Sequence, residues 1–454
     1  MYGIDKERPI HFIGIGGIGM SGIAKILLAQ GYKVSGSDLG YNEVIEELVS
    51  MGAIVFKGHQ KENVENAQFI VRSTAINKEN PEIVEALRLN LPVVRRAEML
   101  AELMRVKYGI AVPGAHGKTT TTSILSTILN NLNASATSVI GGIVKNLGGH
   151  AFLGKSKYFV AEADESDGSF LCLNPVMSII TNIDNDHLDF YHTEAKIFEA
   201  FQTFVSKIPF YGNIIINGHD PKLLLLKESS NKRFTTVGIS SVKDEFDFTA
   251  SDIKVDLYGA KFRVDTDDEF ANFSLSLSGD HNILNALCAI ALVRRLGFSL
   301  PEIATALAGF EGVKRRFEKV YVDDEFCIID DYGHHPTEIA STLKTARKQF
   351  PNKNLTIVFE PHRFSRTERL WDDFVNAFKE ANRTIITPIY AASEKNTNNI
   401  SAEKLVSEIE RLCGRAEYLE DWDLTRVIQE AKSEGHILLC LGAGSISKKL
   451  KASL

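Results

Sequence analysis

Short apolar runs alternate with stretches of helical periodicity along most of the chain, the pattern of an α/β protein built on largely parallel sheets. Runs at 10–13, 53–56, 69–73 and 92–94 predict strands in the first third, with the helix after the first strand burying Ile23, Ile26 and Leu27. In the middle third, strands are predicted at 109–112, 158–161 and 176–181, and residues 212–280 read as further strands with antiparallel alternation in AKFRVDTDDEFANFSLSLSGD. The last third adds strands at 326–330, 355–359, 385–388 and 437–441, again separated by helical segments.

Composition narrows the picture. At 454 residues the chain is expected to form about two to four domains. Hydrophobic residues make up 44% and charged residues 24%, as in globular proteins. A formal charge of −7 leaves no general basic surface, so non-specific nucleic-acid binding is not expected and anionic ligands require local positive loops. No apolar run approaches the ~18 residues that cross a bilayer. The opening residues MYGIDKERPIHFIG carry charges where a secretion signal needs an apolar stretch, so a cytoplasmic protein without a membrane partner is expected. Cys172, Cys288, Cys327, Cys413 and Cys440 are widely spaced with no Cys-x-x-Cys pair, and read as reduced, core-filling thiols.

The stretch YGIAVPGAHGKTTTTSILSTILNN at 108–131 carries the strongest chemistry. A buried strand runs into a tight loop and then into a helix with Ile124, Leu125, Ile128 and Leu129 on one face. Such a turn aims several backbone N–H groups at one spot, where a polyphosphate meets the positive end of the helix dipole. Gly114, Ala115, His116, Gly117, Lys118, Thr119 and Thr120 form this candidate triphosphate loop. Lys118 would neutralise the outer phosphates and the Thr119 hydroxyl would ligate Mg²⁺. The loop is short: the ordinary pattern wants a glycine where Val112 stands, and a plain structural turn is the alternative.

A second glycine turn, GIGGIGMSGIAKILLAQG, follows the first strand, with Gly14, Gly16 and Gly19 at dinucleotide-binding spacing and Asp38 where a ribose-binding acid would stand. Its physics requires only a diphosphate at a helix N-terminus, which a nucleotide sugar supplies as well as NAD or FAD. His59, Ser73 and Arg96 follow strands on the same side, and each singly reads equally as a surface residue.

Two acidic loops leave successive strands. EADESDGSF presents Glu162, Asp164, Glu165 and Asp167, and TNIDNDH presents Asp184, Asp186 and His187. A solvated loop is the ordinary reading of either, but a carboxylate at a strand end beside a phosphate loop is where nucleotide-bound Mg²⁺ needs an oxygen. Asn282 and Asn285 open a later helix, as caps or as amides for an adenine edge. Past 312, the basic turn Lys314, Arg315 and Arg316 precedes two strand ends that release Asp331, Tyr332, His334 and His335, and then His362, Arg363 and Arg366. Polar residues at several strand ends argue for a ligand crevice at the carboxyl edge of a parallel sheet.

In combination and order, these segments together with SGDHNILNALCA, GVKRRFE, DDYGHHPTEI and PHRFSRT resemble the Mur ligases nearly end to end. The resemblance implies three domains: an N-terminal Rossmann-like domain for a UDP-sugar at 1–107, a central P-loop-type ATPase with a mixed sheet at 108–312, and a C-terminal Rossmann-like domain that brings the amino acid at 313–454. Within the family it points to the members that join L-alanine to UDP-N-acetylmuramate with ATP and Mg²⁺ during peptidoglycan precursor synthesis, acting as monomer or homodimer. It implies that Gly16, Gly17, Ile18, Gly19, Met20, Ser37, Asp38, His59, Ser73 and Arg96 bind the UDP-sugar. Asn282, Asn285 and Arg316 join the loop on ATP, and Thr119, Glu162 and His187 hold metal. Lys118, His187, Asp331, His334, Arg363 and Arg366 serve the chemistry, with His334 or Asp331 a candidate base for the amine. Ala115 and Ser445 depart from the family pattern, which has Thr and Asp there.

The implied reaction phosphorylates the lactyl carboxylate and lets the amine attack the acyl phosphate, with the third domain closing over the site. A nicotinamide-dependent dehydrogenase would leave the Gly-Lys-Thr loop unexplained, and a non-catalytic nucleotide switch would leave the last third without a role. Inside the family, a ligase that attaches a whole tripeptide during wall recycling is the nearer alternative, and GIGGIGMSG and ESDGSF favour the alanine-adding members.

Overall fold

A computed structural model of the chain describes residues 3–185, 188–242, 245–256, 258–323, 325–392, 394–396 and 398–454. Ile10–Ile13 (β1), Val34–Asp38 (β2), Ile54–Lys57 (β3), Phe69–Arg72 (β4) and Val93–Arg95 (β5) form the first sheet. Their order is β3-β2-β1-β4-β5 and every pairing is parallel. Strand order reverses beside β1, which opens a crevice at the carboxyl ends of β1 and β4. The glycine turn after β1 enters this crevice, and the helix Ile18–Ala29 starts there with no side-chain cap on its first N–H groups.

The second sheet contains Tyr108–Val112 (β6), Thr137–Val144 (β7), Gly149–Phe152 (β8), Tyr158–Glu162 (β9), Met177–Ile180 (β10), Asn213–Asn217 (β11), Phe234–Ile239 (β12), Phe248–Asp256 (β13), Gly259–Asp265 (β14) and Phe270–Leu275 (β15). Its order is β15-β14-β13-β12-β11-β10-β6-β9-β7-β8. Parallel pairing puts the ends of β6, β9 and β10 side by side, so the loops that follow them share one edge. The hairpin β7–β8 is antiparallel, which makes the sheet mixed.

The third sheet orders Glu318–Val322 (β16), Cys327–Asp331 (β17), Leu355–Phe359 (β18), Arg383–Ile386 (β19), Ala416–Tyr418 (β20) and Ile437–Leu441 (β21) as β16-β17-β21-β18-β19-β20. All pairings are parallel except β16 with β17. Helices cover both faces, so Ile329, Ile357 and Leu439 enter one core while Ile328, Val358 and Leu438 enter the other. Strands buried on two sides read as unbroken apolar runs, which is why these were visible in the sequence.

By its internal contacts the chain divides into two compact units: Met1–Ile253 with Phe262–Leu275 and Leu284–Glu311, and Lys254–Lys261 with Ser276–Ile283 and Gly312–Leu454. Within the first unit the helix Ile18–Ala29 lies on the hairpin β7–β8. A Cβ added at Gly22 would meet Val139 at 3.3 Å and Ala151 at 3.4 Å. Ser21 Oγ and His150 Nε2 are 3.0 Å apart, and the buried Lys25 ammonium lies 3.5 Å from His150 Nδ1. Burial and the Lys25 charge push the His150 imidazole down to about 4, so it stays neutral.

Cys172, Cys288, Cys327 and Cys440 are free thiols, the last three buried, while the side chain of Cys413 lies outside the described residues. Among the described residues no helix is long and apolar enough to cross a membrane. The hairpin and the short strands β16 and β20 had not been expected, because glycine, threonine and charged residues replace the apolar run that marks a buried strand.

The core of the first unit contains a ring cluster in which Phe170 stands 5.2 Å from both Phe201 and Phe204. Phe204 is fully buried. Phe204→Ala should destabilise this unit by about 3 to 5 kcal/mol, read as a lower midpoint in chemical denaturation.

Candidate active site

The loop after β6 is shaped by what crowds it. Gly114 sits at φ +140°, and a Cβ there would lie 2.1 Å from Thr181 Oγ1. Gly117 at φ +79° would place one 2.7 Å from Asn285 Oδ1. Only glycine is accommodated at either position. From the end of β10, Thr181 Oγ1 donates to the His116 carbonyl at 2.6 Å. Asn182 Nδ2 donates to the same oxygen at 3.0 Å, and its Oδ1 accepts from His116 N–H at 2.9 Å. The His116 ring reaches Asp184 Oδ2 at 3.1 Å. The loop is therefore held from the neighbouring strand, and the helix Lys118–Asn131 begins with an uncapped N-terminus.

Each carboxylate of the acidic loop after β9 takes a different partner. Lys118 Nζ donates to Glu165 Oε1 at 2.9 Å and to the carbonyls of Gly114 and Ala115 at 2.6 and 3.0 Å. Thr119 Oγ1 donates to Glu162 Oε1 at 3.0 Å, and Glu162 Oε2 accepts from Gly141 N–H on β7 at 2.8 Å. Arg96 Nη2 reaches Asp164 Oδ2 at 3.2 Å. Burial alone would lower the Lys118 ammonium, but the charges of Glu165, Glu162 and Asp164 outweigh it and raise its pKa. For Asp164, burial acts upward, and the Arg96 charge with the Ser166 hydrogen bonds brings it below the usual range.

These residues fit a triphosphate and a magnesium ion. The loop packs so tightly on Thr181 and Asn285 that neither Gly114 nor Gly117 has room for a Cβ, the helix after it starts uncapped, and Thr119 with Glu162 offers a hydroxyl and one carboxylate. Magnesium takes one or two carboxylates and completes its shell with phosphate oxygens and water. Among the described residues no cluster of three His, Cys, Asp or Glu side chains is assembled. His187, expected as a second metal contact, lies with Asp186 outside the described residues.

At the crevice of the first sheet, Gly16 N–H donates to Asp38 Oδ2 at 2.9 Å, and Gly40 N–H to Asp38 Oδ1 at 3.1 Å. Asp38, expected at a ribose, thus also holds its own glycine loop. Gly17 precedes the helix that Ile18 opens, and Met20 is buried on it. A Cβ on Gly19 would come within 2.8 Å of Arg96 Nη1, so the guanidinium lies against the loop backbone. The Ser73 hydroxyl accepts from Ala75 N–H at 3.3 Å. Ser37 is fully buried and donates to Glu82 at 2.6 Å, with His59 Nδ1 2.9 Å from the same hydroxyl. Sequence reading missed Glu82 because a Pro-Glu pair after Asn80 reads as an ordinary helix start.

In the second unit, Asp331 ends β17 with its carboxylate accepting from Phe317 N–H and Gly333 N–H, both at 2.7 Å. Burial pushes it up to about 6 against the pull of Arg316 and these N–H groups. The Arg315 and Arg316 guanidinium carbons lie 4.9 and 5.1 Å from the centre of the Tyr332 ring. After β18, Arg363 is held at φ +71° with its N–H on the Tyr390 carbonyl at 2.8 Å. Arg315 and Phe317 share such backbone strain, which collects at functional sites. Arg366 Nη1 lies 3.4 Å from His362 Nδ1, and its buried Nε has no hydrogen-bond partner among the described residues. His362, which had not been assigned a role, stacks on Tyr390 at 5.4 Å and stands 5.7 Å from His334. Burial, then His334 and three arginines, push His362 down to about 3.

Asn282 Nδ2 donates to the Ser278 carbonyl at 2.8 Å, a bond back to the preceding turn in which the amide is a donor and not the acceptor that a helix cap requires. In the final glycine turn, Ser445 Oγ donates to Glu360 Oε1 at 2.7 Å, and Ile446 N–H to Glu360 Oε2 at 3.0 Å.

Three sequence profiles of one family span the chain. They are "Mur ligase family, catalytic domain" at 9–108, "Mur ligase middle domain" at 112–293 and "Mur ligase, glutamate ligase domain" at 315–444. The UDP-N-acetylmuramate--L-alanine ligase of Geobacter sp. (strain M21) is 46% identical over 449 residues, covering 98% of this chain and 96% of that one. The enzyme of the same name from Aquifex aeolicus (strain VF5) is 44% identical over 451 residues, with 98% and 96% covered. Among solved structures, the UDP-N-acetylmuramate-alanine ligase of Thermotoga maritima superposes with a TM-score of 0.83 at 29% identity, covering 98% of both chains. A murein peptide ligase from Psychrobacter arcticus 273-4 gives 0.73 at 25%, also over 98% of both.

The Asp331 shift has a pH signature. Because folding raises this pKa, the folded chain holds the proton more tightly, and stability falls as pH rises from about 4 to about 6. Asp331→Asn should remove that slope, about 2 to 3 kcal/mol across the interval, measured as the difference between the two proteins' denaturation midpoints at each pH.

Proposed function

The chain belongs to the Mur ligase family, and from that membership we infer that it joins L-alanine to the lactyl carboxylate of UDP-N-acetylmuramate, with ATP converted to ADP and phosphate. The observation that carries this reading is the match over nearly the whole chain to relatives bearing the name UDP-N-acetylmuramate--L-alanine ligase. The recycling ligase for a whole tripeptide is not favoured, since the murein peptide ligase superposes less well and at lower identity than the alanine ligase structure. The product is a peptidoglycan precursor, and both nucleotide substrates are those of the cytoplasm.

A carboxylate resists acylation because oxide would have to leave. Transfer of the γ-phosphoryl group to a lactyl oxygen releases ADP and makes phosphate the leaving group. The α-amine of alanine then attacks the acyl carbon, the tetrahedral intermediate collapses, phosphate departs and the nitrogen gives up a proton. Both steps gather negative charge, so fixed cations and N–H groups stabilise them without reorganising. Lys118 and the loop N–H groups are the candidates at the phosphates, and Asn285 stands beside that loop. A magnesium ion on Thr119 and Glu162 would neutralise phosphate charge when bound. The glycine turn at Gly16 to Gly19, with Arg96 beside it, suits the diphosphate of the sugar nucleotide.

Arg363 and Arg366 are suited to the amino-acid carboxylate and the departing phosphate, for which the unpartnered Arg366 Nε offers a donor. Asp331 and His334 remain the candidate proton acceptors. An Asp331 pKa of about 6 is closer to an operating base than an ordinary carboxylate. His362, lowered to about 3, is neutral and able to accept.

ADP release in the presence of UDP-N-acetylmuramate, scanned over single amino acids, tests the reaction: turnover should require alanine, and turnover only with a tripeptide would replace this reading. Lys118→Ala should lower ADP formation at least about a hundredfold while equilibrium binding of the UDP-sugar persists. Arg366→Ala should raise the KM for L-alanine by about tenfold to a hundredfold, with a smaller effect on that for ATP, measured by varying each in turn.

A further inference from the structure

Glu82 is a fully buried carboxylate surrounded only by hydrogen-bond donors. Ser37 Oγ donates to its Oε2 at 2.6 Å and Asn63 Nδ2 to its Oε1 at 2.6 Å. Gln60 N–H approaches Oε1 at 3.4 Å, and the buried His11 Nε2 lies 3.7 Å away, too far for a hydrogen bond. His59 Nδ1 sits 2.9 Å from Ser37 Oγ and 3.3 Å from Glu82 Oε2. The single hydroxyl proton of Ser37 is committed to the carboxylate, so both oxygens facing His59 Nδ1 are acceptors. A proton must therefore reside on Nδ1. In the neutral ring this leaves Nε2 as an acceptor, and Nε2 makes no hydrogen bond among the described residues. His59 follows β3 and Ser37 belongs to β2, both at the carboxyl edge where the glycine turn lies.

We propose that Glu82 is a positioning residue for the sugar-nucleotide crevice. Through Ser37 it fixes His59 as the Nδ1–H tautomer, so that Nε2 accepts a hydrogen bond from an N–H or O–H donor of the bound nucleotide. The proposal rests on the reading above that a UDP-sugar occupies this crevice; uridine carries such donors in its imide and its ribose hydroxyls. Glu82 also enjoys the N-terminal turn of the helix Pro81–Arg88, which accounts for a carboxylate there but not for the direction of every donor around it. Burial raises its pKa, and the nearby His11 together with the hydrogen bonds from Ser37 and Asn63 more than reverses this, keeping it ionised.

The experiment uses the full chain with ¹⁵N-labelled histidine. In the unaltered protein the His59 signals, assigned by their loss in His59→Gln, should report a protonated Nδ1 and a bare Nε2. A protonated Nε2 in the neutral ring would overturn the proposal with no variant needed. Glu82→Gln turns an acceptor into an amide donor, lets Ser37 donate to Nδ1 and should switch the tautomer. The KM for the UDP-sugar should then rise about tenfold, the loss of one hydrogen bond, with kcat and the KM for ATP unchanged. A switched tautomer with an unaltered KM would overturn the recognition role. Asn63→Ala removes a donor from the far oxygen and should leave that KM unchanged; an equal rise would show that Glu82 only holds the strand ends together, and would also overturn it. If the unaltered protein neither binds UDP-N-acetylmuramate nor turns it over, the functional reading falls, while the tautomer measurement still stands on its own.

Discussion

The chemistry of the first unit depends on how closely one backbone loop can approach its neighbours. Thr181 and Asn182 fasten the His116 peptide on both its N–H and its carbonyl, and Gly114 comes so near Thr181 that a methyl group would overlap the hydroxyl. That contact exists because β6 and β10 are parallel neighbours whose ends coincide. Parallel pairing on the other side of β6 brings the acidic loop after β9 to the same place. A lysine, a threonine hydroxyl and two carboxylates then meet through sheet register, with no long-range motif needed to gather them.

Charge follows the same economy of placement. In a chain with a net charge of −7, the positive groups at these loop ends each lie beside a carboxylate. Lys118 rests on Glu165, Arg96 on Asp164 and Arg316 near Glu338. In the second unit, the arginines surround a histidine that burial and their own charges keep unprotonated. Arg315 and Arg363 both adopt left-handed backbone, with φ of +61° and +71°, a strain that collects at functional sites.

Much of this was legible in the sequence, and for a physical reason. Strands buried on both faces, such as β18 and β21, cannot hide, and glycine turns between a strand and a helix mark phosphate-sized backbone cradles. The ligase family and its reaction came from the resemblance that such segments carry in combination and order. Pairing was not legible. The acidic loop offered four carboxylates with no sign that Glu165 takes Lys118 while Glu162 takes Thr119. Glu82 gave no signal at all, since the donors around it arrive from Ser37 and Asn63, distant in sequence. The hairpin β7–β8 escaped because glycine, serine and histidine interrupt its apolar residues and remove the continuous run that marks a buried strand.

In the last glycine turn, the resemblance leads one to expect an acid where this chain has Ser445. In space Glu360 reaches across from the end of β18, accepting from both the Ser445 hydroxyl and the first N–H of the closing helix. Aspartate at 445 would set two carboxylates against each other, since Ser445 Oγ lies 2.7 Å from Glu360 Oε1. The acid that serves this helix start therefore comes from 85 positions away in the chain.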